Sequence, residues 1–291
     1  MPEPEPLTTY LELRQSTETG EEVAGLSHKA GGLFLLHVLE IASFGEPRGG
    51  VTLIHDVGEH GGRYVELARA LARERWAVAL PDTRGHGRSE GARGHSGGTS
   101  EMLRDLAAVQ DHLAYRLPDA PKALVGVGAG AIWALAYALE NPGQLEALVM
   151  CAPRWQPAFE LPKPAGGLLK AFKKVGPTAP GRIGNDPARL CADSAVQAAW
   201  RADALVHDVV TLRAGEQLLD AAQRYGGRTA ELEVPTLVLH GADDALSDPA
   251  YSRARAAGKL DVRVIDGLRH DLFHGAGSEG AIAELAAWLA R

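Results

Sequence analysis

The stretch Ala123-Leu124-Val125-Gly126-Val127-Gly128-Ala129-Gly130-Ala131 runs without interruption into Ile132-Trp133-Ala134-Leu135-Ala136-Tyr137-Ala138-Leu139. The first part is an apolar run of strand type. The second is long and apolar enough for a buried helix, which Asn141-Pro142-Gly143 ends. Only small residues separate them, so the stretch reads as strand, very tight turn, helix. The same rhythm extends outward on both sides. Strands are expected at 33–41, 51–54, 76–80 and 145–151, with helices at 66–74 and 100–115 between them, and residues 1–30 read as polar and loose. From Pro153 to Ala230 the rhythm breaks. No clear strand is evident there, prolines recur, and helical pieces are expected at 167–175 and 206–224. Strands return at 235–240 and 262–265, and a helix closes the chain from about Gly280.

Alternating strands and helices imply an α/β fold: a mostly parallel sheet with helices on both faces. The expected organisation is a core over 1–152, a helical lid insertion over 153–230, and the rest of the core over 231–291. With 291 residues, 45% of them hydrophobic, the chain can bury one large core. A formal charge of −7 without a long Lys/Arg cluster argues against non-specific nucleic-acid binding. Two cysteines, Cys151 and Cys191, and an acidic, proline-rich start unlike a signal peptide lead to the expectation of a cytoplasmic protein. No apolar run reaches the roughly 18 residues of a membrane span.

The turn within the opening stretch has the frame of the nucleophile elbow G-x-S-x-G, in which a strained turn lifts a serine hydroxyl above the sheet. Here the frame is Gly126-Val127-Gly128-Ala129-Gly130, and Gly128 stands where the hydroxyl belongs. Two further strand ends carry chemistry. Gly241-Ala242-Asp243-Asp244 follows one strand and Asp266-Gly267-Leu268-Arg269-His270-Asp271 the next, giving the order nucleophile position, acid, histidine.

Four motifs carry a family resemblance: His55-x-x-Gly58-Glu59-His60-x-Gly62-Arg63-Tyr64, Asp82-x-Arg84-Gly85-His86-Gly87-x-Ser89-x-Gly91-x-Arg93-Gly94-His95, Leu239-His240-Gly241-x-x-Asp244 and Gly267-x-x-His270. Together they resemble the monoacylglycerol lipase and serine-aminopeptidase-type hydrolases over most of residues 50–290. The resemblance implies the α/β-hydrolase fold. It also implies Asp244 and His270 as acid and base, with Asp243 the lesser candidate for the acid, and the backbone N–H groups of Val57 and Ala129 as the oxyanion hole. The chain departs from this pattern at Gly128 and at Asp56, where the family has glycine. His55-Asp56-Val57-Gly58 and the elbow instead resemble the N-myc downstream-regulated family, which keeps the fold and is regarded as non-enzymatic.

Glycine has no atom with which to attack a carbonyl, and it tolerates the elbow's positive φ. A carboxylate at position 56, pointing inward and roughly 5 Å from a developing oxyanion, would oppose it by about 3 kcal/mol. The expectation is therefore a pseudo-hydrolase that binds a small apolar or acyl ligand, or a partner. One alternative is a carboxylic-ester or acylglycerol hydrolase whose serine has been substituted. Another is a nucleophile-independent enzyme using Asp244 and His270 as a general base.

Other readings are bland. His55 and His86 are expected to bond backbone within their loops. Cys151 reads as a buried, inert thiol. His112, His207 and His274 lack ligand spacing, so no metal is expected. Gly126-x-Gly128-x-x-Ala131 matches a dinucleotide fingerprint, but the acid that should follow at the next strand end is missing, and no cofactor is expected. The basic, partly amphipathic segment Leu168–Val175 could touch a membrane surface, although packing over a pocket is the better reading. Trp155, Phe159, Phe172 and Trp200 are expected to line or roof an apolar cavity.

Overall fold

A computed structural model describes residues 4–14, 32–160 and 178–291. The core elements alternate: β1 (Leu7–Arg14), β2 (Leu33–Ile41), β3 (Gly49–Ile54), α1 (Val65–Arg73), β4 (Trp76–Pro81), α2 (Thr99–Arg116), β5 (Lys122–Val127), α3 (Ala129–Glu140) and β6 (Ala147–Cys151). There follow β7 (Pro180–Arg182), α4 (Pro187–Leu190), α5 (Ser194–Ala202), β8 (Val209–Thr211) and α6 (Leu212–Gly226). The chain then returns to the sheet with β9 (Thr236–Gly241), α7 (Pro249–Arg253), β10 (Leu260–Ile265) and α8 (Ser278–Leu289).

The main sheet has the order β1-β2-β4-β3-β5-β6-β9-β10. β2 runs antiparallel to both β1 and β4, and the remaining neighbours pair in parallel. With helices on both faces and an inserted helical region, this is the α/β-hydrolase architecture expected from the sequence. The central strands are buried on both faces, so β3 and β5 read as continuous apolar runs rather than alternating ones. On one face Leu67 and Leu71 of α1 and Leu285 and Leu289 of α8 pack with Val51, Val125 and Leu237 of the sheet. On the other, α2, α3 and α6 pack over Ile54, Leu124 and Val238. Ten residues of α3 are buried, which explains why this helix is apolar all round.

Two segments differ from expectation. Leu7–Arg14, read as loose, is an edge strand, with Leu11 and Leu13 packed against Phe34, Leu36 and Val38. The 153–230 segment, read as strand-free, holds a two-stranded antiparallel ribbon of β7 and β8. That ribbon takes up Val209–Thr211, so the helix expected from Val206 begins at Leu212, capped by the Thr211 hydroxyl accepting from Ala214 N. The segment Leu168–Val175, with Phe172, lies outside the described residues.

The strand order matters for the site. β3, β5, β6, β9 and β10 are consecutive neighbours, so the loops after their carboxyl ends converge. Those loops carry Asp56, Gly128, Arg154, Asp244 and His270.

Candidate active site

The elbow is built by close approach of main chain. A Cβ at Gly126 would lie 2.5 Å from Ala131 Cα, and one at Gly130 would lie 2.5 Å from Ile54 O, so α3 can settle on the sheet only with glycine at both positions. Between them Gly128 has φ +57° and ψ −113°, the strained conformation of a nucleophile elbow. Its N–H donates to Cys151 O at 2.9 Å. The tight turn forms with glycine at its apex.

What faces Gly128 is Asp56. A Cβ built on Gly128 would lie 2.6 Å from Asp56 Oδ2 and closer still to Cγ and Oδ1. No side chain fits at position 128 while Asp56 stays where it is. Asp56 points inward, as the sequence left open, and its carboxylate goes further than the roughly 5 Å separation assumed there. Val57 N and Ala129 N, the two expected oxyanion-hole donors, both donate to Asp56 Oδ1, each at 2.7 Å. One side-chain oxygen takes both expected donors.

The other partners neutralise it. Arg154 Nε lies 2.9 Å from Oδ1 and 3.0 Å from Oδ2, and Arg154 Nη2 donates to Oδ2 at 2.6 Å. The same Nη2 reaches Asn185 Oδ1 at 2.7 Å, and Asn185 Nδ2 donates to Val57 O at 3.2 Å. Asp56 and Arg154 side chains are each 3% exposed. Burial alone would favour the neutral acid, but the Arg154 guanidinium and the His270 imidazole hold the Asp56 carboxyl well below the usual carboxylate range. Burial likewise opposes the Arg154 charge, and Asp56 more than restores it.

His270 and Asp244 meet as the motif order implied. His270 Nδ1 lies 2.7 Å from Asp244 Oδ2, and His270 Nε2 lies 3.3 Å from Asp56 Oδ2. Asp244 Oδ1 accepts from Leu246 N and Ser247 N. Asp243, the competing acid, makes no contact of this kind with His270. Asp244 Oδ2 also meets His240 Nε2 at 3.0 Å, and that nitrogen donates to Ser247 O at 2.7 Å. His240 Nδ1 therefore accepts from Ser252 Oγ at 2.8 Å. Burial opposes ionisation of Asp244, but His270 and His240 with these N–H groups hold it far below the usual range. For His270, burial disfavours the charge and Asp244 more than offsets it, raising the imidazole to about 9. A carboxylate stands at each nitrogen, and both favour the charged imidazolium. A general base needs a free lone pair at Nε2, and here that nitrogen faces the Asp56 carboxylate.

The remaining sequence candidates separate. His55 Nδ1 bonds Asp56 O and its Nε2 accepts from Thr83 N, while His86 Nδ1 bonds Arg84 O, so both histidines serve their loops. Cys151 is fully buried, and burial pushes its thiol up. Trp155 is not among the residues that bound the cavity beside the elbow. It is buried, with Arg255 over its ring and Nε1 donating to Ser252 Oγ. Trp200 Nε1 donates to Glu59 Oε1 at 3.4 Å, and Phe159 packs beside Ile183 and Val210. A cavity of about 40 Å³ lies next to the elbow, bounded by Val57, Ala129, Trp133, Met102, Val210 and Leu218 among others. Among the described residues no cluster could hold a metal ion and no helix is long and apolar enough to cross a membrane. Arg154 and Asn185 escaped the sequence reading altogether. The available signal was Asp56 itself, since a carboxylate pointing into such a site requires a buried cation.

The tight strand–turn–helix and the acid–histidine pair lie on one eight-stranded sheet, and the family model described as serine aminopeptidase, S33 matches residues 45–276. The chain belongs to the S33 family of α/β-hydrolases. Among its S33-type relatives it is 32% identical over 252 residues to the monoacylglycerol lipase of Mycolicibacterium smegmatis, covering 84% of this chain and 89% of that one. It is 30% identical over 240 residues to human monoglyceride lipase, covering 78% and 77% respectively. The crystal structure of Paleococcus ferrophilus monoacylglycerol lipase superposes with a TM-score of 0.75 at 25% identity, over 88% of this chain and 98% of that one. This S33 member is thus an α/β-hydrolase-fold protein related to monoacylglycerol lipases and esterases.

Proposed function

We propose that this chain is a pseudo-hydrolase: a monoacylglycerol-lipase-like scaffold that does not run serine-dependent ester hydrolysis and that serves in binding. The observation that carries the reading is the Asp56 carboxylate in the oxyanion hole, opposite a glycine at the nucleophile position. Each step of acyl transfer meets an obstacle. There is no hydroxyl to attack, the two oxyanion donors are already bonded, and His270 holds a proton on the nitrogen that would take one. The same protonation argues against His270 and Asp244 acting as a general base on water.

A merely substituted serine is disfavoured by space. A hydrolase lacking only its nucleophile would leave room for Cβ at position 128, and Asp56 occupies that room. None of the relatives named above is an N-myc downstream-regulated protein, so the reading rests on the geometry of residue 56 and not on that likeness. The cavity beside the elbow is mostly apolar in its lining and has room for a ligand of a few heavy atoms, which suits retention of a binding role.

The test is direct. Purified protein is incubated with a fluorophosphonate probe and with p-nitrophenyl esters of two to eight carbons. Neither labelling nor turnover above the rate of an unrelated protein is expected. Saturable turnover abolished by His270→Ala would sink the proposal.

A further inference from the structure

The centre is filled, but what fills it is held as a ligand would be held. Oδ1 of Asp56 takes two main-chain N–H groups at 2.7 Å, the guanidinium of Arg154 spans both oxygens, and His270 Nε2 faces Oδ2 at 3.3 Å. Two aligned amides, a forked cation and an imidazolium form a complete set of donors for one carboxylate. Asp56 Cα lies on the loop after β3, whereas Arg154 comes from the loop after β6 and His270 from the loop after β10, so the donors belong to separate elements. Asn185 fixes the guanidinium from outside by accepting from Nη2 and ties it back to Val57 O. Asn185 lies between β7 and α4, so the same chain of bonds fastens that segment to the oxyanion loop.

We infer that this centre is a carboxylate receptor whose occupant is the protein's own Asp56, an internal plug that shuts the oxyanion hole against external carboxylic acids and esters, with Arg154 making the plug permanent. The inference rests on the pseudo-hydrolase reading and adds the chemistry that the closed site selects. It also explains why positions 56, 128 and 154 belong together. Glycine at 128 makes room for the carboxylate, and arginine at 154 makes its burial tolerable.

The deleted atoms define the probe. Asp56→Gly removes Cβ, Cγ and both oxygens, which together are acetate without its methyl hydrogens. The full-length Asp56→Gly variant is titrated with sodium acetate at constant ionic strength, following the melting temperature and saturation transfer to the acetate methyl group. Expected is saturable binding with a Kd of about 0.1–10 mM, the range open to a ligand of so few atoms. The wild-type chain should show no response, and trimethylacetate, too bulky for the vacated volume, should not compete. The double variant Asp56→Gly with Arg154→Leu should fold and lose at least about tenfold in acetate affinity, the loss of one charge-assisted contact.

If Asp56→Gly alone does not accumulate, it is refolded from urea with and without acetate. Recovery only with acetate supports the receptor, and recovery in neither overturns it. A folded variant blind to acetate overturns it too, as does a wild-type chain that responds equally or a chloride effect of the same size. Ester turnover by the wild-type chain would instead sink the pseudo-hydrolase reading, so the two failures are distinguishable.

Discussion

Putting the serine back should not restore a hydrolase. In Gly128→Ser the new Cβ falls 2.6 Å from Asp56 Oδ2 and nearer to Cγ, on a residue with φ +57°. Overpacking of this kind costs about 1–3 kcal/mol and a non-glycine residue in such a backbone conformation about 1–3 kcal/mol more. For a chain this long the sum lowers the melting temperature on the order of 3–10 °C. Catalysis should stay absent, because both oxyanion donors remain bonded to Asp56 and each such donor is worth about 10²–10³ in rate. Adding Asp56→Gly frees the hole but leaves Arg154 buried and uncompensated, at about 3–5 kcal/mol. Only Asp56→Gly, Gly128→Ser and Arg154→Leu together remove the clash, the plug and the orphaned cation. That triple variant should hydrolyse p-nitrophenyl butyrate at least about 10³-fold faster than the wild-type chain and label with a fluorophosphonate at position 128. The assays are a thermal melt and ester turnover for all four proteins. A Gly128→Ser protein with wild-type stability and brisk esterase activity would refute the reasoning.

Further outcomes follow from the same network. Arg154→Leu strands Asp56 in a dry site and should destabilise by about 3–5 kcal/mol in urea unfolding, while Asp56→Asn with Arg154→Leu, which removes both charges, should recover most of that. The raised His270 imidazole favours the folded chain fully below pH 6.5, and that contribution fades as pH climbs through about 9. It amounts to about 3 kcal/mol, and His270→Gln should flatten the alkaline limb of stability against pH. Asp56 and Asp244 act in the opposite sense, stabilising above the ordinary carboxylate range and losing that effect only as the solution becomes strongly acidic. Cys151, fully buried with its thiol pushed up, should resist iodoacetamide in the native chain and react only after denaturation, as intact mass would show.

Most of the sheet was legible because its central strands are buried on both faces and stand out as unbroken apolar runs between turn residues. β1 was not, since Tyr10 and Glu12 on its outer face dilute the pattern to half a strand signal. The β7–β8 ribbon escaped because three-residue strands have no period to read. At the site, Gly128, Asp244 and His270 could be found from motif and order alone. The direction of Asp56 could not, because a side chain's rotamer depends on what lies opposite, and what lies opposite is Arg154. That arginine follows Cys151-Ala152-Pro153 as an ordinary loop residue, with no motif to mark it. Complementarity of charge between residues 98 positions apart is a property of the folded sheet.

In the proposed pseudo-hydrolase, one carboxylate oxygen of Asp56 sits where a substrate's oxyanion would sit. A crystal structure of the wild-type chain grown near neutral pH reads this directly. The expected result is Asp56 Oδ1 within hydrogen-bond distance of both Val57 N and Ala129 N, near the 2.7 Å found here, with Arg154 across the carboxylate and no water between them. Asp56 turned away from the hole, with a water or ligand oxygen on the two amides and Arg154 paired elsewhere, would contradict it.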